Sequence, residues 1–342
     1  MLGVCIHQHG GREMLSHQEL PDPVVGPGQV RVRVRACALN FLDVWVRRGL
    51  PFLKLTYPHI LGADVAGEIE STGEGVKGLE VGKRVLVAPG VSCGHCQRCL
   101  AGEDNLCRHY GLLGEHRDGG NAELLVVPAA NILPYPGDMP FEQAAAIPVT
   151  FQTAWQMLVQ KAVLRPTETV LVLAAGSGVG SAAVQIAKML GATVIATASS
   201  QAKLDSAKAL GADHLIDHSD PKWDKAVRKI VGKAGVDVVF EHVGAATWKQ
   251  SIQLAAWGGR IVTCGATSGF DAETDLRHIF FRQIAIFGST MGSKAVLYDI
   301  VKLVADGVLK PVVDRVLPLA DVARAHELLE ERKVFGKIVL TI

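Results

Sequence analysis

Residues 168–195 read ETVLVLAAGSGVGSAAVQIAKMLGATVI. A short apolar run rich in β-branched residues, Thr169 to Ala174, is broken by Gly176, Gly178 and Gly180, and a helical pattern then runs to Gly191. The strand signature returns at Thr193 to Ala198. This order predicts strand, tight turn, helix and strand, with a crossover of the length that two parallel strands need. Glycines at such a turn let backbone approach a pyrophosphate, whose charge is met by the amides and dipole of the helix N-terminus. A dinucleotide is therefore expected at Ala175, Gly176, Ser177, Gly178, Val179 and Gly180. The strict G-x-G-x-x-G spacing is not kept: counted back from Gly180, its other places hold Ala175 and Ser177. On this motif alone, a tight βα turn of any α/β protein stays open as the alternative. The G-K-[ST] ending of a Walker loop is absent, which disfavours nucleoside triphosphate hydrolysis.

The flanks extend the pattern. Strand signatures at Thr169–Ala174, Thr193–Thr197, His214–Ile216, Val236–Phe240, Arg260–Cys264 and Ile284–Gly288 have helical patterns between most of them. Such an alternation predicts an α/β fold with a doubly wound parallel sheet. Before it, Gln29 to Ala36 reads QVRVRVRA, which puts Val30, Val32 and Val34 on one face and three arginines on the other. Similar short strands at Gly62–Ile69, Val81–Ala88 and Ala122–Val127 predict an antiparallel, barrel-like first domain. After Gly288, helices near Ala295–Asp306 and Asp321–Arg332 and a last strand at Gly336–Thr341 are expected to rejoin it.

Composition narrows the class. With 342 residues and 49% hydrophobic content the chain can bury a core in each of two domains. Net charge is +1 and the basic residues are dispersed, so neither nucleic acid nor an acidic membrane is an expected partner. No apolar run reaches membrane-spanning length and the first residues lack signal-peptide order, which makes the cytoplasm the expected location. Cys5, Cys37 and Cys264 stand singly in apolar surroundings and read as reduced buried thiols.

The other four cysteines differ. Cys93, Cys96, Cys99 and Cys107 give C-x2-C-x2-C-x7-C in a loop rich in Gly, His and charge. Four thiolates this close suit one tetrahedral Zn²⁺, and four sulfurs leave no open position for catalysis, so the ion is expected to be structural. Disulfides are disfavoured in a cytosolic chain, and the last spacing is long for an iron–sulfur cluster. Gly90-Val91-Ser92-Cys93-Gly94 also satisfies G-x-S-x-G, but it lies in a metal loop and not at a strand-to-helix turn.

Taken with Pro27-Gly28-Gln29-Val30, Leu61-Gly62-Ala63-Asp64-Val65-Ala66-Gly67, Gly258-Gly259-Arg260 and Gly336-Lys337-Ile338-Val339, this organisation resembles the medium-chain dehydrogenase/reductase superfamily over nearly the whole chain. The resemblance implies a GroES-like catalytic domain at residues 1–150 and 291–342, with the cysteine lobe at 90–110, and an inserted Rossmann domain at 151–290. The zinc alcohol dehydrogenases of that superfamily hold a catalytic zinc with a Cys, the His of a Gly-His-Glu triplet, and a second Cys or an acid. Those places fall on Asn40, Ala63 and Val149. Ala63 and Val149 cannot bind zinc and an amide is a poor ligand, so alcohol oxidation would lose its Lewis acid. Ala38-Leu39-Asn40-Phe41-Leu42-Asp43 looks instead like the zinc-free quinone reductase branch.

The implied activity is hydride transfer from a nicotinamide cofactor to a quinone, enone or other activated alkene or carbonyl. Such an acceptor needs a hydrogen-bond donor for the developing enolate oxygen and a proton source. Matched to the family, Asn40 is the first choice for that donor, with the capping of a turn as its alternative role. Tyr57, His59 and Asp64 flank the same pocket in family terms, with Tyr57 and Asp64 as further catalytic candidates, Asp64 as an acid or base, and Asp43 is assigned to holding the fold. Cofactor choice turns on the end of the second strand, where NAD sites carry an acid. Here Ala198 is followed by Ser199 and Ser200, with Lys203 in the next helix, so NADPH is expected over NADH. By residue matching, Cys264, Gly265, Ala266, Ser289 and Met291 line the nicotinamide and Lys337 approaches the pyrophosphate. Two alternatives stand beside this reading: a zinc-dependent NAD(P) alcohol dehydrogenase, and a non-enzymatic NADPH-binding protein. The apolar strand Phe281–Gly288 at the end of the sheet predicts a homodimer or homotetramer.

Overall fold

The computed structural model describes residues 1–51 and 53–342, which separate into two compact units. One is made of Met1–Val149 and Ser293–Ile342, the other of Thr150–Gly292.

In chain order, the front segment carries β1 (Gln29–Ala38), α1 (Phe41–Arg48), β2 (Asp64–Thr72), β3 (Arg84–Val87), β4 (Leu124–Pro128) and β5 (Ile132–Leu133). The second unit follows with β6 (Thr169–Val172), α2 (Gly178–Met189), β7 (Thr193–Ala198), α3 (Gln201–Ala209) and β8 (His214–Asp217). It continues with α4 (Trp223–Val231), β9 (Val236–Glu241), α5 (Ala245–Leu254), β10 (Ala255–Thr263), α6 (Leu276–Arg282) and β11 (Ala285–Gly288). The tail returns to the first unit with α7 (Lys294–Ala305), β12 (Val313–Pro318), α8 (Val322–Glu330) and β13 (Lys337–Thr341).

The first unit is organised by β1. Its alternation buries Val30, Val32 and Val34 in a core with Val65, Ile69, Val85, Val87, Leu125 and Val127. The outward arginines pair across the sheet: Arg31 bonds Glu70 (2.7 Å) and Arg35 bonds Glu68 (2.7 Å). The sheet runs β5-β3-β2-β1-β13-β12, with β4 also pairing β1. The pairs from β5 to β13 are antiparallel, and β12 with β13 is parallel. Val339 lies opposite Ala38, and Ala38 lies opposite Asp64. The start of the last strand and the start of β2 therefore flank the end of β1.

In the second unit six parallel strands run β8-β7-β6-β9-β10-β11. Numbered from the first strand of the unit this is 3-2-1-4-5-6, the doubly wound order, whose switch point lies between β6 and β9. Leu171, Leu173, Ile195, Val239, Ile252 and Ile261 are buried in one cluster of its core. Two of the boundaries that differ from expectation have a backbone cause. β6 stops at Val172 because Ala174 takes a positive φ of 46°, so Leu173 to Gly176 is turn. β10 begins at Ala255, ahead of Gly258-Gly259, because a register shift against β9 absorbs the glycine pair and Gly258 takes a φ of 68°. Among the described residues no helix is long and apolar enough to cross a membrane.

Candidate functional site

Asn40 follows β1 and is the N-cap of α1. The sequence Asn-Phe-Leu-Asp places an acid at the third helical position, and Asp43 Oδ2 accepts the Asn40 N–H at 2.7 Å. Asp43 Oδ1 accepts the Gly62 N–H at 2.9 Å, so this carboxylate, 2% exposed, fixes both α1 and the turn into β2. Its burial pushes the carboxyl up to about 6, against the opposing pull of the Asn40 and Gly62 N–H groups and of Lys337.

The Asn40 side chain turns to a charged pair. Lys337 Nζ lies 2.6 Å from Asn40 Oδ1 and 2.9 Å from Asp64 Oδ2, and Asn40 Nδ2 donates to Asp64 Oδ2 at 3.0 Å. The other Asp64 oxygen accepts the Val149 N–H at 2.7 Å. Asp64 is fully buried and Lys337 nearly so, which makes this a desolvated ion pair held by hydrogen bonds. An ammonium only donates and a carboxylate only accepts, so the carboxamide has one orientation: Oδ1 toward Lys337, Nδ2 toward Asp64. Both oxygens of Asp64 are thus hydrogen-bonded, and its carboxylate anchors the Asn40 amide and the Lys337 ammonium. Ala63 and Val149 contribute no side-chain donor atoms, and the cluster's cation is the lysine.

The structure thus brings Asn40, Asp43 and Asp64 together and adds Lys337, which ties up the ammonium that resemblance assigns to the pyrophosphate. Tyr57 stands apart: it is 38% exposed, its ring meets His9 edge-on at 5.9 Å, and among the described residues no hydrogen bond joins it to the cluster. His59 is buried, with Nε2 on the Gly114 carbonyl at 3.2 Å, and burial lowers its pKa.

In the cysteine lobe the four Sγ atoms all lie within 4.8 Å of one another. Three separations are 3.5 Å (Cys96–Cys99), 3.6 Å (Cys93–Cys107) and 3.9 Å (Cys93–Cys99). A zinc tetrahedron with Zn–S near 2.3 Å has edges of about 3.8 Å, so donor number, type and spacing fit Zn²⁺. Among the described residues this is the one group of three or more His, Cys, Asp or Glu that could hold a metal ion. Asp104 Oδ1 accepts the Lys294 N–H at 2.8 Å, Lys294 Nζ donates to Asn131 Oδ1 at 3.1 Å, and Asn131 Nδ2 donates to the Ala88 and Gly90 carbonyls. The lobe is thereby pinned to the first turn of α7.

In the second unit the glycine turn sits at the switch point. Ser177 caps α2, its Oγ accepting the Gly180 N–H at 2.9 Å. A Cβ at Gly180 would fall 2.6 Å from the Ala174 carbonyl, so this turn admits only glycine there. The leading amides of α2 have no carbonyl partners within their own helix, the arrangement that can receive an anion. Across the switch point His242 bonds the Leu173 carbonyl through Nε2 at 2.8 Å, holding the turn from β9.

β7 ends at Ala198, and Ser199 and Ser200 are exposed beyond it. Sequence reasoning missed His218 here. Thr197 Oγ1 accepts the Ala174 N–H at 3.1 Å and lies 2.9 Å from His218 Nδ1, so the hydroxyl links the turn after β6 to the end of β8. The available signal was register, since Ala198 pairs with Asp217, the residue before it. Cys264 follows β10 and burial raises its thiol to about 12, while Ser289 follows β11 with its N–H on the Thr263 carbonyl at 2.8 Å. Ser289 Oγ is buried with no hydrogen-bond partner among the described residues, as suits a ligand-facing hydroxyl, and Met291 is buried at a φ of 51°. These features fit a bound dinucleotide.

Comparison with known proteins agrees with both units. Residues 26–137 match the alcohol dehydrogenase GroES-like domain and residues 178–306 the zinc-binding dehydrogenase family. A solved structure described as an NAD-dependent alcohol dehydrogenase is 53% identical, with all of both chains covered and a TM-score of 0.97. An acryloyl-coenzyme A reductase of Sulfurisphaera tokodaii is 30% identical over 97% of each chain. A quinone oxidoreductase of Sus scrofa is 28% identical over 100% of this chain and 98% of its own. The chain is an NAD(P)H-dependent oxidoreductase and belongs to the medium-chain dehydrogenase/reductase superfamily, among its zinc-containing alcohol dehydrogenase-like members.

Proposed function

We propose that the protein reduces a quinone or a carbon–carbon double bond conjugated to a carbonyl, using NADPH and no metal at the reacting carbonyl. The observation that carries this reading is the Asn40–Asp64–Lys337 cluster. Where zinc ligands would stand there are an amide and two side chains without donor atoms, and the polar atoms converge on an ammonium. A divalent ion there would have to overcome that charge.

NADPH, when bound, would supply a hydride to the carbon β to the carbonyl. Negative charge then gathers on the carbonyl oxygen, where the Asn40 amide donates to it, and water protonates the α-carbon. Asp64 holds the amide in place by accepting from its Nδ2. Exposed Ser199 and Ser200 after Ala198, with no acid at the end of β7, favour a 2′-phosphate over a bare ribose. Self-association belongs to the same reading: β11 is an edge strand with Ile286 exposed, and Phe280 and Phe281 are exposed on α6 before it. A monomer by light scattering would remove that part.

A second reading, NAD-linked alcohol oxidation, is favoured by the likeness to a structure of that description. Absorbance of NADPH and NADH is to be followed with crotonyl-coenzyme A, butenone and 9,10-phenanthrenequinone, beside NADP⁺ and NAD⁺ with primary and secondary alcohols. Turnover of a conjugated acceptor with NADPH, at least tenfold more efficient than any alcohol, is the expected result. Alcohol oxidation as the dominant activity would overturn the first reading in favour of the second.

A further inference from the structure

We propose that Lys337 is a positioning residue for the Asn40 amide: its ammonium locks the carboxamide with the oxygen turned away, so that only N–H is presented to a substrate oxygen. This inference rests on the assignment of Asn40 as the oxyanion donor.

A carboxamide can turn over and exchange its oxygen and nitrogen, and a flipped Asn40 would present an acceptor to a developing oxyanion. At 2.6 Å the Lys337 ammonium on Oδ1 forbids the flip, and Asp64 Oδ2 on Nδ2 forbids it from the other side. One amide proton is thereby spent on Asp64. The second has only the Ala38 carbonyl at 3.4 Å, a long contact that a better acceptor displaces, and Asn40 is half-buried and not sealed. A cation on the amide oxygen also draws electron density from nitrogen and strengthens the remaining N–H as a donor. Lys337 reaches this place because Gly336, at a φ of 91°, turns the chain where a Cβ would strike the Val312 carbonyl at 2.4 Å. The Lys337 N–H then bonds that same carbonyl at 2.9 Å.

Two consequences follow. The site takes acceptors whose oxygen gains charge during reduction, since Asn40 offers it no lone pair. Lys337 also acts through Asn40, so removing it after Asn40 is gone changes the chemical step no further.

The test measures kcat and KM for butenone and crotonyl-coenzyme A with NADPH in wild type, Asn40→Ala, Lys337→Met, Lys337→Arg and the Asn40→Ala/Lys337→Met double variant. Melting curves check each variant for folding. Asn40→Ala is expected to lower kcat about 100-fold, as loss of one oxyanion donor does. Lys337→Met should lower kcat about tenfold or more with KM within about twofold, and the double variant should match Asn40→Ala within about threefold. Lys337→Arg, which keeps a cation able to reach both oxygens, should recover kcat to within about fivefold of wild type and serves if the methionine variant does not fold. Multiplicative losses in the double variant, an unchanged kcat in Lys337→Met, or an arginine variant that folds as wild type yet gains nothing would overturn the inference. An unchanged kcat in Asn40→Ala, or no turnover by the wild type, would instead remove the assignment of Asn40, and this inference with it.

Discussion

Replacing Lys337 by methionine removes the cation from a pair whose side chains are 5% and 0% exposed, leaving the Asp64 carboxylate buried. Asp64 would keep the Val149 and Asn40 N–H donors, which are neutral and cannot balance its charge. Breaking a buried pair from one side costs about 3–5 kcal/mol. In a unit of this size 1 kcal/mol moves the melting midpoint by about 2–4 °C, so Lys337→Met should melt roughly 6–20 °C below wild type. Adding Asp64→Asn removes the stranded charge and should recover at least about half of the loss, because eliminating a buried pair altogether is close to neutral. Circular dichroism melts of the three proteins at one pH and salt concentration read this directly. A single variant within about 2 °C of wild type, or a double variant no more stable than the single one, would show that the pair does not hold this part of the sheet.

Asp43 gives a pH dependence whose sign follows from its shift. Its folded pKa of about 6 exceeds the ordinary 3.8, so the native state keeps a proton that the unfolded chain has released. Its contribution is therefore most favourable below about pH 4 and declines as pH rises through about 6, by roughly 3 kcal/mol in all. The stability of Asp43→Asn relative to wild type should rise by most of that amount, about 2 kcal/mol, from pH 4 to 7 in urea titrations, and a pH-independent difference would contradict it. Ala198→Asp should raise KM for NADPH about tenfold or more and leave NADH unaffected or improved, by placing a carboxylate against the 2′-phosphate. An unchanged KM for NADPH would take the phosphate away from the end of β7. Gly180→Ala should weaken NADPH binding about tenfold or more in fluorescence titrations, because its Cβ meets the Ala174 carbonyl at 2.6 Å. Wild-type affinity would separate the cofactor from this turn.

Local periodicity made much of the fold legible. The alternation of Gln29 to Ala36 is buried on its valine face, as read, and the structure adds ion pairs on its arginine face. The strand-turn-helix-strand order of residues 168–195 reappears as β6, α2 and β7. Gly258-Gly259 misled because glycine marks both strand ends and bulges, and only the partner strand distinguishes them. The cysteine spacing carried its own geometry, since ligands so near in sequence must meet in space. The Asn40–Asp43 cap was readable for the same reason, the two residues sharing one helical turn. The Lys337 contacts were not. They join residues separated by 297 and 273 positions, and no local pattern in Gly336-Lys337-Ile338 states that β13 will lie beside β1 with Val339 opposite Ala38. His218 was hidden likewise, since its role depends on the β7–β8 register and a threonine hydroxyl.

Everything proposed for the chemistry rests on a single sulfur-bound ion and a metal-free carbonyl site. Inductively coupled plasma mass spectrometry of the purified protein, saturated with Zn²⁺ and then freed of loose metal, is expected to find about one zinc per chain, bound by the four cysteines. About two per chain, with the second lost on substituting Asn40 or Asp64, would place a metal where Lys337 is argued to stand and would contradict the mechanism.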